Sequence, residues 1–236
     1  MEFDLHLHSY FSLDAINNPR NIARFYSKKG MGFAITDHND CQSWPSIRKY
    51  ARHYGVEHVL GEEIKVYDNG KYIGEFLGLF LNAPIKPGQY EQVLDELEKQ
   101  AAIVSVAHPF DVFRNPLIVK PMFREKERAR HILKRINAVE GHNSRVILNS
   151  FNSKAVRFAK ENNLAVTGGS DGHFPQELGN GFTVIDGSTS EELYGALKKN
   201  NAKCNGRLSS PFVHVLSQVS MKTKVLDDKT KVLDDY

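Results

Sequence analysis

The sequence predicts an α/β fold, a parallel sheet or barrel whose strands are joined by crossover helices. Three observations carry that expectation. Strand-length apolar runs alternate with helix-spaced segments almost throughout the 236 residues. Histidines and acids gather where the apolar runs end, which is where parallel α/β folds keep their chemistry. No linker-like stretch divides the chain, and its length suits one large core.

The chain opens on a strand-like run, Met1-Glu2-Phe3-Asp4-Leu5-His6-Leu7-His8. Residues two apart on a strand share a face, so His6 and His8 aim at one spot while Leu5 and Leu7 face an apolar layer. A polar loop carrying Asp14 follows, and Asn18-Pro19 then reads as an N-cap with proline in the first helical turn. That helix runs through Ile22, Ala23, Phe25 and Tyr26 and stops near Gly30. Residues 31–36 form a second strand that ends abruptly in Asp37-His38-Asn39-Asp40, before a helix over about Ser43 to His53. The third strand, Val59 to Val66, sets Glu62 and Glu63 in an apolar run. Asp68-Asn69-Gly70 is a hairpin signal, and Tyr72 to Leu81 is the returning strand.

Helical spacing covers Pro87 to Gln100, and the strand Ala102 to Ala107 ends at His108-Pro109. Phe110 to Pro121 is a loop with several aromatic and proline residues, a candidate substrate wall. Met122 to Lys134 is expected as helix, and Ile136 to Val139 leads into Glu140-Gly141-His142-Asn143. A helix over Asn152 to Asn162 precedes the strand Leu164 to Gly169, which ends in Ser170-Asp171-Gly172-His173. Phe182 to Ile185, a helix from Ser190 to Lys199 and the segment Phe212 to Val219 complete the elements. One domain is expected over residues 1–220. Lys222 to Asp228 then recurs as Lys229 to Asp235, so residues 221–236 read as a charged, mobile tail.

Composition narrows the function. Hydrophobic content of 41% and charged content of 25% are those of an ordinary soluble globular protein. The net charge of +3 is small and its cations are dispersed, which counts against nucleic acid as a partner. Cys41 and Cys204 form neither a disulfide framework nor a C-x-x-C pair, which suits a reducing cytoplasm. The opening residues have no signal-peptide pattern, and no apolar run approaches a membrane span. A cytoplasmic protein with no membrane partner is expected. Oligomeric state is open.

The candidate ligands are His6, His8, Asp14, His38, Glu63, His108, Asp171 and His173, with His142 or Asn143 beside them. An isolated His-x-His is more often a hydrogen-bonded pair of half-buried histidines. Recurrence of the same residue types at strand ends favours a metal site. Mixed imidazole and carboxylate ligands suit zinc, manganese or iron, and the scarcity of thiolate argues against a Cys-type structural zinc. The set is too large for one ion. Two or three divalent ions would use it, with Glu63 or Asp171 as a bridge, and closely spaced ions suit in-line displacement at phosphorus.

Five segments together resemble the PHP family, the polymerase and histidinol phosphatase superfamily of metal-dependent phosphoesterases. They are Asp4-Leu5-His6-Leu7-His8-Ser9, Ile35-Thr36-Asp37-His38-Asn39, Gly61-Glu62-Glu63-Ile64, Ala107-His108-Pro109-Phe110 and Gly169-Ser170-Asp171-Gly172-His173. They stand in family order. The resemblance implies a distorted seven-stranded β/α, TIM-like barrel with a trinuclear site in its mouth. It also implies that His6, His8, Glu63 and Asp171 hold one ion, with Glu63 bridging. His38, Asp14, His108 and His173 match further ligand positions, and Asp4 and Asp37 would orient imidazoles through their second ring nitrogen. One departure stands out. Many family phosphatases have a ligand histidine three residues beyond the glutamate matching Glu140, and here that position is Asn143. Either Asn143 ligates weakly, or His142 takes over through a bulge, or that ion position is poorly filled; Asn143 lining the site is the favoured reading.

The expected activity is hydrolysis of a small phosphomonoester or phosphodiester by a metal-bound hydroxide. His173 or Asp171 would assist proton transfer, with His38 a further catalytic candidate. Arg145 and Arg20 are candidates for gripping substrate phosphate, as is Asn143 for lining the substrate site, although a solvated face accounts for either arginine equally well. His53, His58 and His131 read as surface residues, His214 as either, and Cys41 as a small loop residue. Specificity is expected in residues 110–121 and 174–180. The alternatives are a nuclease-type activity and a metal-binding regulatory module without turnover.

Overall fold

The computed structural model describes residues 1–120, 123, 125–220 and 222. Apart from Lys222, the charged repeat expected as a mobile tail lies outside the described residues, as does the expected helix start at Met122. No helix among the described residues is long and apolar enough to cross a membrane.

Strand β1 (Glu2–Asp4) continues in extended form to His8, held by a bridge between Leu7 and Gly172. Helix α1 (Pro19–Lys29) starts where the Asn18 side chain accepts the Arg20 N–H, and ends at Gly30 with a left-handed φ of 64°. Its Ile22, Ala23 and Tyr26 are buried against the wall, while its basic residues face outward. Strand β2 (Gly32–Ile35), helix α2 (Trp44–Tyr54) and strand β3 (His58–Asp68) follow. Asn69 and Gly70 both take positive φ, 48° and 76°, and turn the chain into the antiparallel strand β4 (Lys71–Leu79).

Strand β5 (Gly88–Gln89) is a short addition beside β3, and helix α3 (Tyr90–Lys99) leads to strand β6 (Ile103–Val106). Helix α4 (Lys126–Leu133), strand β7 (Ala138–Asn143), helix α5 (Asn149–Glu161) and strand β8 (Ala165–Gly169) repeat the crossover pattern. Strand β9 (Gly181–Val184) precedes helix α6 (Ser190–Lys198), which begins with a capping box between Thr189 and Glu192. Strand β10 (Lys203–Gly206), which sequence reasoning did not find, pairs with β9 outside the ring. Residues 212–220 are helical.

The ring runs β1-β2-β3-β4-β6-β7-β8-β9 and closes through β9 onto β1, with Glu2 opposite Val184 and Phe3 opposite Thr183. The expected distorted barrel is present, with a wall of eight strands where seven were expected. Six strands run parallel, and the hairpin strand β4 and the closing strand β9 run against them. These two reversals are the distortion.

Between wall and helices lie Phe33, Ile35, Trp44, Ile47, Leu94, Val104 and Val139, all buried. A second cluster joins Phe3, Leu5, Ala34, Val59, Ile103 and Ala138 to Leu193 and Leu197 of α6. Burying each of the larger aliphatic side chains contributes roughly 1.5–3 kcal/mol, so the wall is stiff where the site needs it to be.

Candidate metal centre

The parallel strands all end at one mouth, and most of the site's side chains come from those ends. The extension of β1 supplies His6 and His8, whose ring centroids lie 5.1 Å apart. His38 follows β2, Glu63 and Glu75 face the interior from β3 and β4, His108 follows β6, Glu140 and Asn143 come from β7, and Asp171 and His173 follow β8. Asp14 reaches in from the loop after His8. Period-two alternation separates the paired acids of β3. Glu63 points inward, whereas Glu62 takes the N–H of Ile85 at 2.7 Å and burial pushes its carboxyl up to about 7.

Glu63 is the hub. Its Oε2 lies 3.4 Å from His6 Nε2, 3.5 Å from His8 Nε2 and 2.8 Å from His38 Nδ1. Its Oε1 meets His108 Nε2 at 3.1 Å, and Glu75 Oε2 reaches the same nitrogen at 3.3 Å. Asp171 Oδ1 stands 3.7 Å from His6 Nε2, 3.4 Å from His8 Nε2 and 3.5 Å from His173 Nδ1. At the rim, Asp14 is 3.6 Å from His38 Nε2 and 3.1 Å from His173 Nε2.

These separations test the fit to a metal. Ligands bound at 2.0–2.2 Å around a tetrahedral ion lie roughly 3.3–3.6 Å from one another. The four gaps linking His6, His8, Glu63 and Asp171 range from 3.4 to 3.7 Å. Among the described residues, His6 Nε2, His8 Nε2, His38 Nδ1, Glu63 Oε2 and Asp14 Oδ1 are buried without a hydrogen-bond partner. Buried polar atoms left unpaired are costly, and three of them gathered around a fourth, Glu63 Oε2, with Asp14 Oδ1 at the rim, fit a cation site. The triplets His6–His8–Asp171, His8–His38–His173 and His38–Glu63–Glu75 each bring ligand atoms within 4.8 Å of one another.

Charge follows geometry. Burial opposes the protonated ring of His6, but Asp171, Glu140 and Glu63 outweigh it and hold its pKa well above the usual value. His8 goes the other way, lowered by burial and by the neighbouring His173 and His38 rings. Burial would raise Asp171, yet His6 and Arg114 hold it well below the usual carboxylate range.

The residues behind the ligands differ from expectation. Asp4 and Asp37 hold backbone and hydroxyl groups rather than imidazoles. Asp4 accepts from Tyr26 Oη at 2.5 Å and from the N–H groups of Ser170 and Gly179, and burial pushes its carboxyl up to about 6. Asp37 accepts from the N–H and hydroxyl of Ser9 and from Ser12 Oγ. The imidazole is oriented by Glu140 instead, whose Oε1 lies 2.8 Å from His6 Nδ1. A bulge between Glu140 and His142 restores Asn143 to the face that Glu140 occupies. His142 is left away from the centre, 3.4 Å from Ser144 Oγ.

Asn143 is occupied on both sides. Its Nδ2 donates to Glu140 at 3.0 Å and to Asp171 at 2.9 Å, and its Oδ1 accepts from Arg114 and from the Arg145 N–H. Arg114, Asp111 and Glu75 are the site residues that sequence reasoning missed, and Glu140 was matched to a family glutamate without being given a role. A lone acid in the apolar run around Glu75 was a usable signal, the same one that marked Glu63. Arg114 sits in an irregular loop, where no periodicity identifies a face.

Two candidate phosphate grips require correction. Arg20 lies on the outer face of α1, where its Nε donates to Tyr54 Oη at 3.2 Å and its neighbours are Lys49, Arg52 and His53. Arg145 borders the centre but is committed to Glu177 at 3.1 Å, Val213 O and Ser217 Oγ, which seats residues 212–220 over the mouth. The mouth opens into a cavity of about 730 Å³ lined by Asp14, His38, Lys65, Arg114, His173 and His214, among others. None of residues 174–180 lines it, because Glu177 folds that turn back by accepting the N–H groups of His173 and Phe174. Of the expected wall at 110–121, Arg114 and Asn115 reach the cavity.

Two residues of the site have an unusual backbone. Asp171 and His108 hold φ at 53° and 27°, in a region that side-chain-bearing residues avoid.

A family model described as PHP-associated matches residues 149–202. A Methanocaldococcus jannaschii protein, MJ0417, is 34% identical over 184 residues, covering 77% of this chain and 69% of its own. Among solved structures, a two-domain Bacteroides vulgatus protein containing a predicted PHP-like metal-dependent phosphoesterase has a TM-score of 0.71 at 21% identity. The match covers 88% of this chain, which spans 65% of that protein's length. An amidohydrolase from Chromobacterium violaceum, with bound sulfate and no metal, has a TM-score of 0.63 at 13% identity over 86% of this chain and 97% of its own. Both structures share the barrel fold. By its identity to the archaeal relative and its PHP-associated segment, the chain belongs to the polymerase and histidinol phosphatase superfamily.

Proposed function

We propose that the protein is a metal-dependent hydrolase of small phosphate esters, monoester or diester. The observation that carries this is the convergence of His6 Nε2, His8 Nε2 and Glu63 Oε2, buried, unpaired and at ligand spacing. His6, His8, Glu63 and Asp171 would hold one divalent ion, and Asp14, His38 and His173 a second, of zinc, manganese or iron. When bound, such ions supply positive charge for a phosphoryl oxygen and lower the pKa of water.

The chain's own groups do the rest. Glu140 fixes the ring of His6 so that Nε2 faces the centre. His173 Nδ1 donates to the Asp171 carbonyl at 2.8 Å, which turns Nε2 to the rim beside Asp14. In this reading His173 and His38 serve as ligands at the rim, with His173 Nδ1 held by the Asp171 carbonyl, and Asp171 stays ionised. Lys65 and Arg114 border the cavity and offer positive charge to an anionic substrate. The two cysteines are unpaired, which suits a cytoplasmic setting.

The test is phosphate release from 4-nitrophenyl phosphate and bis(4-nitrophenyl) phosphate, measured on metal-stripped and on zinc-, manganese- or iron-reloaded protein. Turnover should follow the metal and fall at least about a hundredfold in His6→Ala with unchanged circular dichroism. Turnover indifferent to chelation and to His6→Ala would overturn the proposal.

A further inference from the structure

We infer that the guanidinium of Arg114 takes the place of a third cation, so that the centre holds two ions and Arg114 turns its spare donors to the substrate phosphate. The inference rests on the metal-dependent reading above.

The centre has two unlike sides. Toward His6, His8, His38 and Asp14 the ligand atoms are unpaired. Toward Arg114 the oxygens are satisfied by the protein itself. Glu63 Oε1 has His108 Nε2 at 3.1 Å, and Glu140 Oε2 takes Asn143 Nδ2 and the His108 N–H. Asp171 Oδ2 takes Arg114 Nη1 and Asn143 Nδ2. The unpaired atom on this side, His108 Nδ1, is on the edge of the ring away from the Nε2 that meets Glu63 and Glu75.

Arg114 is gripped as a structural ion would be. Its Nε lies 2.9 Å from Asp111 Oδ2, its Nη2 donates to Asn143 Oδ1 at 3.0 Å, and its Nη1 donates to Asp171. Asp111 and Asp171 are both almost fully buried, so their charges require a permanent cation, and a guanidinium never loses its proton. The carboxamide completes the arrangement. Asn143 Oδ1 already accepts from Arg114 and from the Arg145 N–H, and so is not free as a metal ligand.

A guanidinium has five N–H donors, and these contacts use three. The side chain keeps 24% of its surface exposed and borders the cavity, so the other two can serve a phosphoryl oxygen. Arg114 is thus both a fixed charge of the centre and a substrate-positioning residue.

The experiment counts metal in the full chain after manganese reloading and desalting. Two equivalents are expected in the unaltered protein, and three in the double variant Arg114→Ala, Asn143→His. Three equivalents in the unaltered protein, or two in a folded double variant, would overturn the inference and leave the phosphoesterase reading standing. No metal in either would overturn both. Arg114→Lys keeps the charge but loses the fork. It should still hold two equivalents while its affinity for inorganic phosphate, by calorimetry, falls roughly tenfold or more. Unchanged phosphate affinity would overturn the positioning role.

Discussion

Glu140 touches His6 through one oxygen, 2.8 Å from Nδ1, and holds the His108 backbone N–H through the other at 2.7 Å. One carboxylate therefore sets the ring angle of one proposed ligand and the chain position of His108, whose ring meets Glu63. Glu140→Gln should weaken metal affinity about 10–100-fold, the usual loss when such a support is altered. Titration of the stripped protein with zinc checks this, and an unchanged affinity would separate Glu140 from the centre.

Gly169 lies against the backbone that carries His6. A Cβ there would come within 2.3 Å of His6 Cβ and 2.7 Å of the His6 nitrogen. Gly169→Ala should cost about 1–3 kcal/mol of stability and reduce metal uptake together, because the strain falls on the ligand itself. Urea unfolding and elemental analysis of one preparation report both.

Much of this was readable from residue order alone. His6 and His8 face one point because strand alternation requires it, and Asn18-Pro19 and Gly30 bounded their helix by local chemistry. Alternation parts Glu63 from Glu62 without saying which faces inward; the family resemblance names Glu63, and the structure turns Glu62 to Ile85. Asn143 depended on a bulge, and bulges leave little trace in a single sequence. Arg114 was hidden because loop residues have no period, while Arg20 was proposed on residue type alone and lies on the outer surface.

Arg145 links the wall to residues 212–220 through Val213 O and Ser217 Oγ, with Glu177 buried beside it. Arg145→Ala leaves that carboxylate without its cation. The expected cost is about 3–5 kcal/mol, with faster amide exchange confined first to 212–220. Thermal unfolding and hydrogen exchange measure the two effects.

His58, at the start of β3, has its pKa held below the ordinary 6.5 by burial. The unfolded chain then takes up this proton before the folded one. The contribution is intact above about pH 6.5 and drains away as the pH falls toward the depressed folded value. His58→Gln should lose less stability than the unaltered protein between about pH 7 and 5.5. Parallel melting curves for the two would show that the group does not differ between folded and unfolded chains.

The Asp171 N–H donates to the His6 carbonyl at 2.6 Å, and Leu7 bridges to Gly172, at the place where the ring joins its two ends. The proposed ions would therefore rivet a seam. Contacts between segments so distant in sequence form late in folding, since loop closure precedes their reward. A chain still emerging from the ribosome has no centre until residue 173 has met residue 6. The full set of proposed ligands assembles only as the barrel closes, and bound ions would then hold that seam shut.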